Sequence, residues 1–278
     1  MRPTVKARIE AALNAIERDE GVRVLYACES GSRAWGFESA DSDFDVRFLY
    51  RHPTAWYLRV LPGRDVIERP VDEGLDLSGW DLRKALRLLG RSNPPLLEWL
   101  RSPIVYREVE SATRRLRALI PEHYSPVACF LHYLHMAQGN FREYLRGEEV
   151  WVKKYFYVLR PVLACHWIER GLGAVPMELS TLIERLVEDP RLRADIDALL
   201  AAKRAGQELD RGPRIGSISE FLEGELERLA SVRPERAEKK DPRLLDRTFL
   251  EILREINGEA LQAEFTLEDV EGGLRGND

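Results

Sequence analysis

Apolar residues recur at Val5, Ile9, Leu13 and Ile16, near the helical period, behind Thr4 as a cap and ahead of Gly21 as a stop. The spacing predicts a helix over 4–19. The apolar run 22–27 (VRVLYA) then reads as a strand, Gly31-Ser32 as a turn opening a short helical piece, and 43–50 as a second strand. Side chains alternate along a strand, so Phe44, Val46 and Phe48 face one way while Asp43, Asp45 and Arg47 face the other. After His52-Pro53-Thr54 the stretch 54–61 reads as a short helix, Pro62-Gly63 as a turn, and 65–69 and 74–80 as two short strands. Asp81 caps a helix that Asn93-Pro94-Pro95 ends, and a further helical piece runs to Pro103.

From about Tyr106 the pattern holds no strand of any length. Helices are predicted over 108–119, 126–146, 151–171, 178–188, 190–209, 217–231 and 242–256, with 232–241 a charged linker and the end after about Glu264 acidic and glycine-rich. The fold expected is α+β: a small mixed sheet with flanking helices over 1–105, an all-helical bundle over 106–264, and a poorly ordered tail over 265–278.

Composition narrows this further. At 278 residues, 44% hydrophobic and 32% charged, the chain has material for one large or two ordinary soluble domains. No run approaches the ~18–20 apolar residues that span a bilayer, and the first residues lack a signal-peptide core, so a cytoplasmic protein without a membrane partner is expected. The net charge of −5 argues against a broadly basic nucleic-acid face but leaves room for a local groove. Cys28, Cys129 and Cys165 lie far apart in apolar stretches and read as buried free thiols.

The chemistry concentrates between Ala27 and Tyr50. Asp43 and Asp45 project about 7 Å apart from one strand face, where two carboxylates repel unless a cation lies between them. A hard divalent ion, Mg2+ or alternatively Mn2+, is the natural partner when phosphates supply the remaining ligands. Gly31 lets backbone N–H groups approach a phosphate, Ser32 offers a hydroxyl, and Arg33 adds positive charge. Arg47, on the aspartates' face, can meet a phosphate or pair with the aspartates. Asp41, beside Ser39 and Ser42, reads as loop.

Gly-Ser, ten residues, then Asp-x-Asp before an apolar residue resembles the signature of the DNA polymerase beta-type nucleotidyltransferase superfamily. The segments ESGSRAWGFESADSDFDVRFLY, LDLSGWDLRKALRLLGRSNPPLLEWLRSPIVY and KKYFYVLRPVLACHWIE are similar to the YcgL-type, RlaP-like predicted nucleotidyltransferases, over residues 20–170. The resemblance implies transfer of a nucleoside monophosphate from an NTP to an acceptor hydroxyl, with release of pyrophosphate. It also implies a third carboxylate on a neighbouring strand. Asp76, flanked by Leu75 and Leu77, and Asp81 compete for that place, and Asp76 is favoured because a helix cap already accounts for Asp81.

The same resemblance makes the helix around 151–170 a lid over the nucleotide. Lys153 or Lys154 would neutralise the triphosphate, Tyr157 stack on a base and Arg160 reach phosphate; the competing reading is a solvated lysine pair above core aromatics. His132 and His135, three apart without further ligands at metal spacing, read as core or groove histidines, and His166 as packed. The acceptor is an RNA end or a protein, as in antitoxin-type members that adenylylate a partner. A catalytically silent nucleotide-sensing module is the non-enzyme alternative.

Overall fold

A computed structural model describes residues 4–40, 42–72, 74–207, 209–233 and 241–257. The N-terminal helix α1 (Val5–Glu20) begins where the Thr4 hydroxyl accepts the Ala7 N–H and stops at Gly21, whose φ of +62° suits a residue without a side chain. It is followed by β1 (Arg23–Ser30), the short helix α2 (Gly31–Trp35), β2 (Phe44–Arg51), α3 (Thr54–Tyr57), β3 (Val66–Asp72) and β4 (Leu75–Asp81). Next come α4 (Leu82–Gly90), α5 (Pro94–Trp99), β5 (Val105–Glu108) and α6 (Glu110–His123). The remainder is α7 (Pro126–Tyr144), β6 (Glu149–Trp151), a single 3₁₀ turn at 152–154, α8 (Tyr155–Glu169), α9 (Leu179–Leu186), α10 (Pro190–Arg204), β7 (Arg211–Pro213), α11 (Gly216–Ser231) and α12 (Arg243–Asn257).

Five strands form a mixed sheet in the order β3-β4-β2-β1-β5. Only β2 and β4 run parallel; every other neighbour pair is antiparallel. One face is closed by α1, whose Ile9, Leu13 and Ile16 pack on Val24, Ala27, Val46, Phe48 and Tyr50. Each such fully buried aliphatic side chain contributes about 1.5–3 kcal/mol. The opposite face carries Tyr26, Cys28 and Leu49 against α4, α5, α6 and the C-terminal α12. A second core joins α7–α11 and takes in Phe37 and Leu97 from the sheet half.

Two expectations change. The strand-free region after Tyr106 holds β5, β6 and β7, and β5 pairs with β1. These strands have four, three and three residues, too few for a period of two to register in a sequence. The expected division at 105/106 therefore falls inside β5, and α6 and α12 pack with α4 on the sheet rather than with the bundle. The other expected helices are present with ends shifted by a few residues, except that α6 runs on to His123 despite Pro121 and α10 ends at Arg204. The three cysteines are buried and free. The tail over 265–278, Asp41 and most of the 232–241 linker lie outside the described residues.

Candidate active site

The parallel register of β2 and β4 decides the site. Asp45 stands directly opposite Asp76, so the two carboxylates leave neighbouring strands side by side on one sheet face. Arg47, two residues along and on the same face, donates through Nη2 to both, at 3.2 Å to Asp45 Oδ1 and 2.7 Å to Asp76 Oδ2. Arg47 thus pairs with the aspartates, one of the two readings that the sequence left open. Burial raises the Asp45 pKa, and although Arg47 pulls it down, the charges of Asp76 and Asp43 push it up again.

Asp81 sits at the other end of the same pairing, opposite Tyr50 and about 16 Å along β4 from Asp76. It is buried, its Oδ1 accepts the Arg83 N–H at 2.8 Å, and its Oδ2 accepts the Tyr57 hydroxyl at 2.6 Å. Of the two competing carboxylates, Asp76 is the one placed beside Asp45. Asp43 precedes β2 rather than lying in it, and its side chain is exposed. Among the described residues no three His, Cys, Asp or Glu side chains converge on one point that could hold a metal ion. The donor type nonetheless suits a hard cation: three carboxylates share one end of two strands, and burial first, with the charges of Asp76 and Asp43 behind it, raises the pKa of Asp45.

Gly31 has a physical reason to be glycine twice over. Its φ is +62°, and a Cβ built there would lie 2.0 Å from Asp45 Oδ2. Replacing it with alanine forces either the turn or the carboxylate to move. Gly31→Ala is expected to lose about 1–2 kcal/mol of stability and about 10²-fold in turnover. Thermal melts and single-turnover rates measured side by side check both.

The cations expected to meet phosphate are placed differently. Arg33 lies 3.8 Å over the Phe44 ring and donates to the backbone carbonyls of Ser42 (2.6 Å) and Asp43 (3.2 Å), so it shapes the loop that carries Asp43. Arg160 is buried and paired with Glu98 at 2.9 Å, a partner that the expected phosphate role did not include. That role was implied by the family resemblance of the helix around 151–170, and a resemblance of sequence does not distinguish a lid cation from one whose partner sits on α5. Lys153 and Lys154 fall in the turn before α8, with Lys153 Nζ 5.8 Å from the Trp151 ring. Lys154 Nζ lies 4.3 Å from the Tyr144 ring and 4.8 Å from that of Tyr157. Ser32, half-buried in α2, is beside Gly31 as expected.

A cavity of about 440 Å³ opens where the sheet meets α5, α7 and α8, lined by Ser30 and Arg47 on the sheet side and by Tyr157 and Arg160 on the bundle side. Burial, and after it the charge of Asp45, raises the pKa of Tyr157. The two halves are joined here by aromatic contacts: Trp35 with Tyr157 at 5.6 Å and Phe37 stacked on Phe156 at 4.6 Å. From α10, Lys203 donates to the Ser39 hydroxyl and Arg204 to the Gly36 carbonyl, bracing the same loop. A larger cavity, about 610 Å³, lies between α4 and α12 near Tyr57 and Arg83, at the Asp81 end of β4.

Sequence reasoning passed over Glu29. It is fully buried on β1, accepts the Asp45 N–H at 2.8 Å through Oε1 and the Tyr106 hydroxyl through Oε2, and so ties three strands together behind Asp45. Burial raises its pKa, while the two hydrogen bonds oppose the shift. An acid inside an otherwise apolar strand was the available signal. Trp35 and Glu98 were also missed as cavity residues, because no local pattern brings α2 and α5 together; His132, read as a core or groove histidine, lines the cavity.

The family model for RlaP, described as the RNA repair pathway DNA polymerase beta family, matches residues 5–251. The uncharacterized protein YcgL of Bacillus subtilis is 50% identical over 254 residues, which is 91% of this chain and 98% of YcgL. The crystal structure of a nucleotidyltransferase-like protein from Exiguobacterium sibiricum aligns over 94% of this chain and 83% of its own, at 15% identity and a TM-score of 0.33. Among the described residues no helix is long and apolar enough to cross a membrane.

Proposed function

Since the chain belongs to RlaP, the RNA repair pathway DNA polymerase beta family, we propose that it is a Mg2+-dependent nucleotidyltransferase acting on an NTP and an acceptor hydroxyl. The observation that carries this reading is the Asp45–Asp76 register pair, with Asp43 just ahead of the same strand and Gly31 packed against the Asp45 carboxylate. Asp43, Asp45 and Asp76 would hold the ion, for which Mn2+ is an alternative. Mg2+, when bound, neutralises phosphate charge and lowers the pKa of a coordinated hydroxyl.

The chain's own groups position the reactants. Gly31 keeps the backbone close to the carboxylates, and Ser32 supplies a hydroxyl for a phosphate oxygen. Arg47 can pass one of its N–H groups from the aspartates to a phosphate, because its guanidinium lines the cavity as well as the carboxylate pair. In the transfer, the acceptor oxygen forms a bond to the α-phosphorus while the bond from that phosphorus to the bridging oxygen breaks. The acceptor's proton goes to solvent or a nearby carboxylate, and pyrophosphate leaves. The family's description favours an RNA end as acceptor.

The test incubates the protein with each α-labelled NTP and Mg2+, with and without single-stranded RNA, comparing wild type, Asp76→Asn and Asp81→Ala. Asp76→Asn is expected to lower turnover about 10³-fold with the fold intact. Asp81→Ala is expected to lose about 2 kcal/mol of stability, from the α4 cap and the stranded Tyr57 hydroxyl, with kcat nearly unchanged. Turnover that survives Asp76→Asn overturns the assignment. A wild type that binds every NTP and never releases pyrophosphate, with RNA present, supports the sensing module instead.

A further inference from the structure

Glu29 is a carboxylate at a strand position where a core ordinarily takes an apolar side chain. It is fully buried and stands opposite Val46, on the sheet face that α1 covers. No cation among the described residues forms an ion pair with it. Its two oxygens are answered by neutral donors instead, Oε1 by the Asp45 N–H at 2.8 Å and Oε2 by the Tyr106 hydroxyl. A buried carboxylate met only by neutral donors costs the fold more than an apolar residue in its place would. What it holds is the main chain of a residue on which the candidate site depends.

The attachment is firm at every joint. The Glu29 N–H donates to the Ile104 carbonyl at 2.9 Å, and the Glu29 carbonyl accepts the Ser102 hydroxyl at 2.7 Å. Tyr106, on β5, packs against the core beneath α1. The pairing of β1 with β2 ends at Ser30 and Asp45, and Gly31 then opens α2. Asp45 is therefore the last residue of β2 that β1 reaches, and Glu29 adds a side-chain hydrogen bond at that end. On the other face the Asp45 carboxylate has little slack, since a Cβ on Gly31 would lie 2.0 Å from its Oδ2. A shift of the Asp45 main chain thus moves its carboxylate against both Gly31 and Asp76.

We propose that Glu29 is a positioning residue: braced by Tyr106 on the α1 side of the sheet, it holds the Asp45 main chain and so sets where the Asp45 carboxylate stands relative to Asp76. Glu29 itself touches no reactant. The assignment rests on the nucleotidyltransferase reading, in which Asp43, Asp45 and Asp76 would hold the ion. Groups behind the ligands of an ion orient them, and a small misplacement there weakens both the ion and the reaction.

The test combines calorimetric titration of Mn2+, with a non-hydrolysable NTP present, and turnover of α-labelled NTP with single-stranded RNA. Glu29→Ala is expected to weaken Mn2+ about tenfold and to lower kcat about 10–100-fold. Its KM for the NTP is expected to stay within about twofold of wild type, because no group that meets the nucleotide has been removed. Glutamine keeps an oxygen for the Asp45 N–H and can turn its amide toward the Tyr106 oxygen. Glu29→Gln is therefore expected to recover most of both losses, to within about threefold of wild type. A purely structural role predicts that Glu29→Ala melts earlier while its folded form binds Mn2+ as wild type does, and that result overturns the proposal. A Glu29→Gln protein as impaired as Glu29→Ala overturns it too. Should Glu29→Ala fail to fold, Tyr106→Phe carries the test: it is expected to weaken Mn2+ about threefold, and unchanged affinity overturns the brace. Mn2+ affinity decides wherever the RNA offered is not turned over. Asp45→Asn is titrated alongside. Mn2+ binding that is absent from wild type, or that ignores Asp45→Asn, sinks the carboxylate reading and the positioning with it. Loss in Asp45→Asn with none in Glu29→Ala sinks the positioning alone.

Discussion

Asp45→Asn is expected to abolish nucleotidyl transfer, by about 10³-fold or more, and at the same time to raise the melting temperature of the unliganded protein by a few degrees at neutral pH. The two effects share a cause. Asp45 is buried beside Asp76 and Asp43, and its folded-state pKa is raised despite Arg47. A raised carboxylate pKa means that the folded chain keeps a proton over a pH range where the unfolded chain has released it. Stability therefore falls as pH climbs from the ordinary carboxylate range through the raised value, and at pH 7 the full cost of ionising Asp45 is present. Asparagine is neutral at every pH, so its advantage is largest at neutrality and closes as the pH is lowered. Melting curves of both proteins across pH 3–8 check the sign. A variant that melts below wild type at neutral pH would show that the Arg47 pairing outweighs the repulsion.

Arg160→Met is expected to cost about 3–5 kcal/mol, about 10 °C in Tm. Arg160 and Glu98 are both largely buried, with Glu98 Oε1 also accepting the Tyr133 hydroxyl at 2.6 Å and Arg160 Nε donating to the Met177 carbonyl at 3.2 Å. The guanidinium also lies 4.8 Å from the Trp35 ring, so its loss loosens the junction of the two halves. Removing one partner leaves the other charge buried without compensation. The double variant Arg160→Met/Glu98→Gln is expected to recover a large part of the loss, because both charges are then gone. Chemical denaturation of the single and double variants measures this directly. A stable Arg160→Met protein with a tenfold higher KM for NTP would support the phosphate role that the family resemblance implied.

The sequence by itself determined which residues the proposed chemistry is assigned to. The Gly-Ser turn, the Asp-x-Asp strand and the apolar-flanked Asp76 are local features, and alternation along a strand is a property of the backbone that holds in any fold. The long helices of the bundle were equally legible, since each presents several turns of apolar period. Arg47 was placed on the correct face for the same reason.

Tertiary structure put Asp76, which the helix cap at Asp81 had already favoured, beside Asp45, because only the β2–β4 register says which carboxylate meets it. It also decided the partners of the cations. Arg33, Arg47 and Arg160 each found an acceptor or ring outside their own element, at a separation of 9 residues for Arg33 and Ser42 and of over a hundred for Arg160 and Trp35. The cavity is a product of the same packing: α2, α5, α7 and α8 contribute one or a few residues each, and no window of sequence contains them together. Local periodicity fixes which side chains share a face; pairing and packing fix what that face meets.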